Sequence, residues 1–493
     1  MAVGLVLIAG LGTVLVERVA DVAGGAQPPA EAAAPDATAG DCPVLTAAVN
    51  DSPGTLTLPA SDLDGLLGNT VTAGQELTVT YTGNLGRYGQ LTLSAGGRMF
   101  HPNNGTCATP FDDGPRFIVV DDDDHRQNPD PVPFVAPSGT LRSGSTVTAA
   151  AGRLTEDTVY MRNSGFEEWY VLLPDELTVS FGERPAAVPD PGGNLTAAGF
   201  NMENYFTTLG ERGARTAGER ERQHVKAVAA LESLDAHLVG LAEVENDEGI
   251  TLDRLIAAPD GLAARTGEAW AWLQADGFGR GTDAITQAFI YRADLLEPVG
   301  PTLSDTHGVH HRPPLVQRFR ETASGEEFTA VMTHFKARTG CDVSDPDDGS
   351  GCWNRRRTAQ ARQLLGFLEQ NLRPEHADRV LLLGDLNAYA LEDPVRQLEE
   401  AGYTDLLARF VPAQERYTYV YEPGLAGYID HALATDGLLP DVCGAAVWHI
   451  NADEPDLFGF DSARFGPDLY SPDPFRSSDH DPVLVGLGLG GSC

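Results

Sequence analysis

Positive charge is what this 493-residue chain has least of. Lys226 and Lys336 are its only lysines, and 34 Lys+Arg stand against 71 Asp+Glu, a formal net charge of −37. Such a body repels nucleic acid, membranes and other polyanions at long range, which excludes binding of polyanions by bulk electrostatics. Any phosphate-bearing ligand must be captured by local arginines or bound cations. After the N-terminal run Met1–Val16, no stretch resembles a further membrane-spanning helix of roughly 20 residues. There is no Cys-x-x-Cys pair, which weakens structural zinc and thioredoxin-like readings. No 20–50-residue period repeats, which removes solenoids and propellers. With 42% hydrophobic and 21% charged residues, the remainder is an ordinary folded protein.

The longest apolar run, Met1–Val16, suits a signal-peptide core but has no basic flank before it. Residues 1–26 are therefore expected to be a signal peptide or an N-terminal anchor, and the Ala/Pro/Gly-rich residues 27–41 a flexible tether. An exported chain permits disulfides. Cys341 and Cys352 bracket an acidic loop that gains roughly 3 kcal/mol from closure. Cys42 with Cys107 and Cys443 with Cys493 are the simplest completion.

Residues 42–184 carry short alternating runs, among them Leu77-Thr-Val-Thr-Tyr81, Gln90-Leu-Thr-Leu-Ser94 and Arg116-Phe-Ile-Val-Val120. Thr and Val at period two, punctuated by Gly, Pro and Asn, predict a small all-β domain. Pro185–Gly193 reads as a linker. Residues 194–488 then alternate strands with helices. Leu238-Val-Gly-Leu-Ala-Glu-Val244, Phe328-Thr-Ala-Val-Met-Thr333 and Arg379-Val-Leu-Leu-Leu-Gly384 read as buried strands. The stretches His224–Leu234 and Arg355–Asn371 have apolar residues at helical spacing. The fold class is α/β, with sheets covered by helices, preceded by the β-domain.

Each strand run ends in residues suited to chemistry: Asn201, Glu243, His334, Asp385 with Asn387, Asp430, and Asp479 beside His480. The spacing of two puts Asp385 and Asn387 on one face of an extended segment. Carboxylates, asparagines and histidines, with no Ser or Cys nucleophile signature, make an inventory for a hard divalent cation and for water attack on phosphorus. Arg292 closes a strand and is a candidate to steer phosphate with its planar fork. The triplet Arg355–Arg357 and Lys336 are weaker candidates.

The motifs Phe200-Asn-Met-Glu-Asn-Tyr-Phe206, Gly240-Leu-Ala-Glu-Val-Glu-Asn246, Thr333-His-Phe-Lys336, Gly384-Asp-Leu-Asn-Ala-Tyr389, Tyr428-Ile-Asp-His-Ala432 and Ser477-Ser-Asp-His-Asp-Pro482 follow one another in an order that resembles the endonuclease/exonuclease/phosphatase superfamily. Trp448-His-Ile-Asn-Ala-Asp-Glu-Pro455, Trp353-Asn-Arg-Arg-Arg-Thr-Ala-Gln360 and Leu85-Gly-Arg-Tyr-Gly89 are similar to marks of its secreted bacterial deoxyribonuclease branch. The resemblance implies a four-layer sandwich of two packed β-sheets flanked by helices, with an OB-like β-module in front. It further implies a metal carboxylate at Glu243 helped by Asn201, with Asp479 completing the shell and Asp385 as rival base or second-metal ligand. Asp430 would orient His480, which either removes a proton from the attacking water or stabilises the phosphorane; Asn387 would hold the phosphate, and His334 would contact it or protonate the leaving oxygen. The implied cofactor is Mg²⁺, with Mn²⁺ or Ca²⁺ as alternatives. The implied partner is nucleic acid, DNA first, for a secreted enzyme that is a monomer by default. The net charge of −37 leaves a small-phosphoester phosphodiesterase or phosphatase as the alternative. A non-catalytic surface binding protein is a remote third.

Overall fold

The unbroken apolar run Val380-Leu-Leu-Leu-Gly384 is the simplest statement of the architecture. Alternate residues of a strand point to opposite faces, so a run with no polar face belongs to a sheet covered on both sides. In the computed structural model, Leu381 and Leu383 enter one apolar cluster while Val380 and Leu382 enter another. The structure describes residues 54–493, apart from 61, 107–114, 137–139, 162–164, 465 and 492. The expected signal segment, the tether, Cys42 and Cys107 lie outside the described residues.

Two six-stranded sheets pack face to face. The first has the order Trp270–Leu273, Ile285–Arg292, Leu238–Glu245, Leu195–Tyr205, Val483–Leu487, Val442–Val447. The second runs Leu296–Ser304, Leu315–Glu321, Glu327–His334, Val380–Asp385, Asp430–Thr435, Tyr403–Asp405. Phe289, Phe328, Met332, Leu383 and Val485 fill the space between them. Helix Ala217–Leu234 covers the outer face of the first sheet through Val228 and Leu231. Helix Asn354–Asn371 covers the second through Ala361, Leu364 and Leu368. The result is the expected four-layer α/β sandwich.

Helix Ala217–Leu234 starts at a capping box, in which the Thr216 side chain accepts from the Glu219 N–H and Glu219 reaches back. Its Lys226 is buried, yet Nζ donates to the Phe475 carbonyl at 2.6 Å and reaches Asp473 at 3.3 Å. This ties down the chain just ahead of Ser477–His480. Burial pushes the Lys226 pKa down to about 8 from 10.5, against the opposing pull of Asp473. Between those values the unfolded chain binds a proton that the folded chain releases, so stability must rise with pH across that window. Relative to Lys226→Met, the wild-type protein is expected to gain about 2–3 kcal/mol from pH 7 to pH 10. Denaturant titrations of the two proteins would check this, and curves that stay parallel would refute it.

The N-terminal β region is a closed barrel. Strand Leu77–Tyr81 pairs with Leu91–Ala95, which pairs with Phe117–Val120. That strand lies parallel to Gly165–Ser180, and Gly165–Ser180 pairs with Thr146–Met161, which returns to Leu77–Tyr81. Five strands with one parallel contact make an OB-like barrel. Its last two strands form a hairpin with 16 residues in each arm, far longer than the runs Ser145–Ala149 and Glu176–Ser180 in which threonine alternation is visible.

Barrel and sandwich belong to one compact unit. Met99–Phe100 of the barrel pairs in parallel with Leu425–Gly427, which is itself paired with Tyr419–Tyr421. Arg98 meets Asp453 at 2.7 Å, Arg142 meets Asp453 and Glu454, and Arg184 meets Glu454 at 2.8 Å. Asn104 donates to the Arg416 carbonyl and accepts from the Tyr428 N–H. The disulfides Cys341–Cys352 and Cys443–Cys493 are both present. Among the described residues, no helix is long and apolar enough to cross a membrane.

Candidate active site

Register brings the site together. In the second sheet His334 is the direct neighbour of Asp385 across one strand pair, and Asp385 of Asp430 across the next. Three chemical residues, far apart in sequence, thus form one row at one end of the sheet. The close approach behind that row requires Gly384, whose φ is +147° and where a Cβ would lie 1.9 Å from the Thr333 carbonyl oxygen. In the first sheet, Asn201 and Glu243 sit near the ends of neighbouring parallel strands. His480 comes just before Val483–Leu487, which pairs antiparallel to Leu195–Tyr205. Asn201 is therefore joined to the His480 loop, and Ser478 Oγ donates to the Asn201 carbonyl at 2.7 Å.

Glu243 stands at a bulge, where pairing breaks between Leu241 and Val244 on the antiparallel side and between Ala242 and Val244 on the parallel side. Its φ is +61°, and that of Asn387 is +48°. Left-handed non-glycine residues cost of order 1–3 kcal/mol and gather at functional sites. The bulge turns the Glu243 carboxylate toward His334, 3.8 Å from Nε2, while its other oxygen accepts from the Asn204 N–H. Glu245, two residues on, accepts instead from Thr207, Thr208 and Thr251.

Asp385 is the hub. Asn201 Nδ2 donates to Oδ2 at 3.2 Å, the Asn387 N–H donates to Oδ1 at 2.8 Å, and His334 Nε2 stands 3.2 Å away. Burial alone would raise its pKa, but the His334 and His480 charges and the Asn387 N–H hold it well below the usual carboxylate range. His480 Nδ1 lies 2.7 Å from Asp430 Oδ2. Burial would depress this imidazolium, yet Asp430, with Asp479 and Asp385, lifts it well above its ordinary value. Thr418 Oγ1 donates to the same Asp430 oxygen at 2.7 Å, and the Tyr419 ring tilts against the His480 ring at 4.8 Å.

Among the described residues, two groups have donor atoms close enough to hold a cation, each within 4.8 Å of one another: Glu243, His334 and Asp385, and Asp385, Asp430 and His480. The oxygen-rich set, with Asn201 alongside, fits a hard divalent ion. His334 Nδ1 is buried with no hydrogen-bond partner among the described residues, so no carboxylate orients the ring from behind. A cleft of about 380 Å³ opens over these groups, lined by Glu243, His334, Asp385, Asn387 and His480.

Other expected residues are placed differently. Arg292 is at the wrong end of its strand. Antiparallel pairing sets Tyr291 against Leu238 and Ile285 against Glu245, so Arg292 is remote from Glu243 and is held by Glu268 at 2.6 Å and Asp294 at 3.0 Å. Asp479 falls in neither cation group. It lies 3.9 Å from His480 Nε2 and lines an adjoining niche with Arg476. Arg357 is fully buried and donates to the Cys352 and Ser350 carbonyls, and Arg356 donates to that of Val309. Lys336 lies over the Trp353 ring.

Sequence reasoning missed two arginines that do line the cleft. Arg312 is buried beside Glu243 and Asp385, and it donates to the Phe335 carbonyl. Arg338 pairs with the buried Glu392 and donates to the Asn387 carbonyl, which fixes that loop. The available signal for Arg312 was its place before Pro313-Pro314 at the entrance to strand Leu315–Glu321.

Residues 198–480 match the endonuclease/exonuclease/phosphatase family, and the chain belongs to it. A deoxyribonuclease of Thioalkalivibrio sp. (strain K90mix) is 28% identical over 211 residues, 41% of this chain and 53% of that protein. The chain thus matches about half the length of that curated relative. Among solved structures, an endonuclease/exonuclease/phosphatase from Bacteroides vulgatus is 16% identical with a TM-score of 0.39, covering 60% of this chain and 98% of that one. The human Nocturnin catalytic domain is 16% identical with a TM-score of 0.38, covering 59% and 93%.

Proposed function

We propose that this protein is a secreted, metal-dependent nuclease that hydrolyses phosphodiester bonds of extracellular DNA by attack of an activated water. The observation that carries the reading is the meeting, in one cleft, of the Asp430–His480 pair and the Glu243, His334 and Asp385 group around a shared carboxylate. Family membership supports phosphoester hydrolysis, and the deoxyribonuclease relative favours DNA. Two disulfides favour an oxidising compartment.

Glu243 and Asp385, with Asn201 beside them, would hold the Mg²⁺-type cation, with Mn²⁺ or Ca²⁺ as alternatives. When bound it neutralises charge on a non-bridging phosphate oxygen. Asp430 engages His480 Nδ1 and leaves Nε2 as the working nitrogen, which donates to a phosphate oxygen as charge develops there. Asp385 stays ionised and accepts the proton of the attacking water. Asn387 Nδ2 and Arg312 hold the phosphate, and His334 donates a proton to the departing oxygen as its bond to phosphorus breaks.

Closed-circular plasmid with purified, disulfide-bonded protein tests the proposal. Nicking is expected with Mg²⁺ or Mn²⁺, and it should vanish with chelator and return when the metal is restored. Intact plasmid under every metal and salt condition would reject the nuclease reading and turn attention to small phosphoesters.

A further inference from the structure

The barrel supplies a wall of the cleft. Tyr81, the last residue of barrel strand Leu77–Tyr81, lines it together with Tyr419 and Tyr421 of the sandwich. Tyr81 is set in place from two sides. Its neighbour Thr80 donates through Oγ1 to the Gly424 carbonyl at 2.9 Å, in the turn just after Tyr421. The Tyr81 ring lies across Gly83, where a Cβ would come within 2.3 Å of the phenol oxygen. Tyr419 and Tyr421 touch, with ring centroids 4.6 Å apart, and Tyr419 in turn leans on His480.

The carboxylates, histidines and arginines account for the phosphate. The tyrosine wall has no role in that chemistry, although it borders the same cleft beside His480. A nucleobase next to the scissile phosphate is the part of the substrate that an aromatic surface would take. The net charge of −37 makes this more than decoration. Affinity from phosphate contacts depends on cation release and is weak on an acidic body, whereas base stacking carries no net charge, is little affected by salt and contributes about 1–3 kcal/mol per base. A base can stack on a protein ring only if its own face is uncovered, and within a duplex both faces are covered by neighbouring pairs.

Building on the nuclease reading, we propose that Tyr81, with Tyr419 and Tyr421, forms a two-domain stacking subsite for an unpaired nucleobase flanking the scissile phosphate. The enzyme accordingly prefers single-stranded or frayed nucleic acid.

The test compares the wild-type protein, Tyr81→Phe and Tyr81→Ala with Mg²⁺ or Mn²⁺ on three probes. These are a short single-stranded DNA, the same sequence as a duplex, and a strand of the same length made entirely of abasic tetrahydrofuran residues. Tyr81→Ala is expected to raise KM on the single strand about tenfold with little change in kcat. Tyr81→Phe should keep the wild-type KM, and all three proteins should share one KM on the abasic strand. Wild-type KM should be lower for the single strand than for the duplex. An unchanged KM in Tyr81→Ala, an equal loss on the abasic strand, or equal wild-type KM for single strand and duplex would overturn this inference alone. Failure of the wild-type protein to cut any probe would overturn the nuclease reading as well.

Discussion

His480→Ala is expected to lower kcat for DNA cleavage by about 10³-fold, with a much smaller change in KM. The imidazole is buried, gripped at Nδ1 by Asp430 and backed by the Tyr419 ring. These contacts hold the ring in place. Preorganised donors aimed at developing charge contribute 10²- to 10³-fold each, and proton-transfer groups 10²- to 10⁴-fold. Alanine removes that donor and leaves Asp430 buried without its partner, so unfolding must be measured in parallel. A thermally stable His480→Ala protein with near-normal kcat would remove this side chain from the chemistry. Exogenous imidazole should restore part of the rate if the cavity, rather than a disturbed fold, is responsible for the loss.

Asp385→Asn is the second large effect, again about 10³-fold on kcat, and it differs in kind. The replacement is nearly isosteric and keeps one oxygen to accept from the Asn387 N–H, which donates to Oδ1 in the native protein. It loses the charge that His334 and the candidate cation group share. With that oxygen kept for Asn387, Asn201 Nδ2, which donates to Oδ2, would face an amide nitrogen, and of the two carboxylates in the cation group only Glu243 would keep its charge. The expected signature is a rate that falls together with a rise in the metal concentration needed for half-maximal activity. A fall in rate with an unchanged metal requirement would make Asp385 a base alone, and an unchanged rate would exclude it from both tasks.

The sequence is most informative where chemistry coincides with periodicity. Val380–Asp385 and Glu327–His334 are legible because a two-sided apolar run that suddenly turns polar marks a strand end. The row His334, Asp385 and Asp430 follows from those ends, although only the register shows that they are neighbours. Arg292 is not legible from sequence because a strand run looks the same in either direction. Only its antiparallel pairing with Leu238–Glu245 reveals which end meets the cleft. Strand Leu296–Ser304 contains Pro298, Gly300 and Pro301 and lies at a sheet edge with little buried, so its composition does not mark it as a strand. Tyr81 reads as one more member of an alternating barrel strand, and its place at the cleft depends on contacts between residues more than 300 positions apart. The bulge at Glu243 is equally silent, since nothing in Leu-Ala-Glu-Val announces a left-handed backbone.

The small sheet shared by Met99–Phe100 and Leu425–Gly427 alters what the linker near Pro185–Gly193 can do. A protease that severed the peptide there would produce two fragments on a denaturing gel and a single particle in solution. The fragments would still be held by main-chain pairing and by buried ion pairs such as Arg142 with Glu454, which are costly to break one partner at a time. The boundary drawn by composition is a seam in the gene but not in the folded object, and an expression clone that begins after it would present a bare strand edge where the barrel belongs.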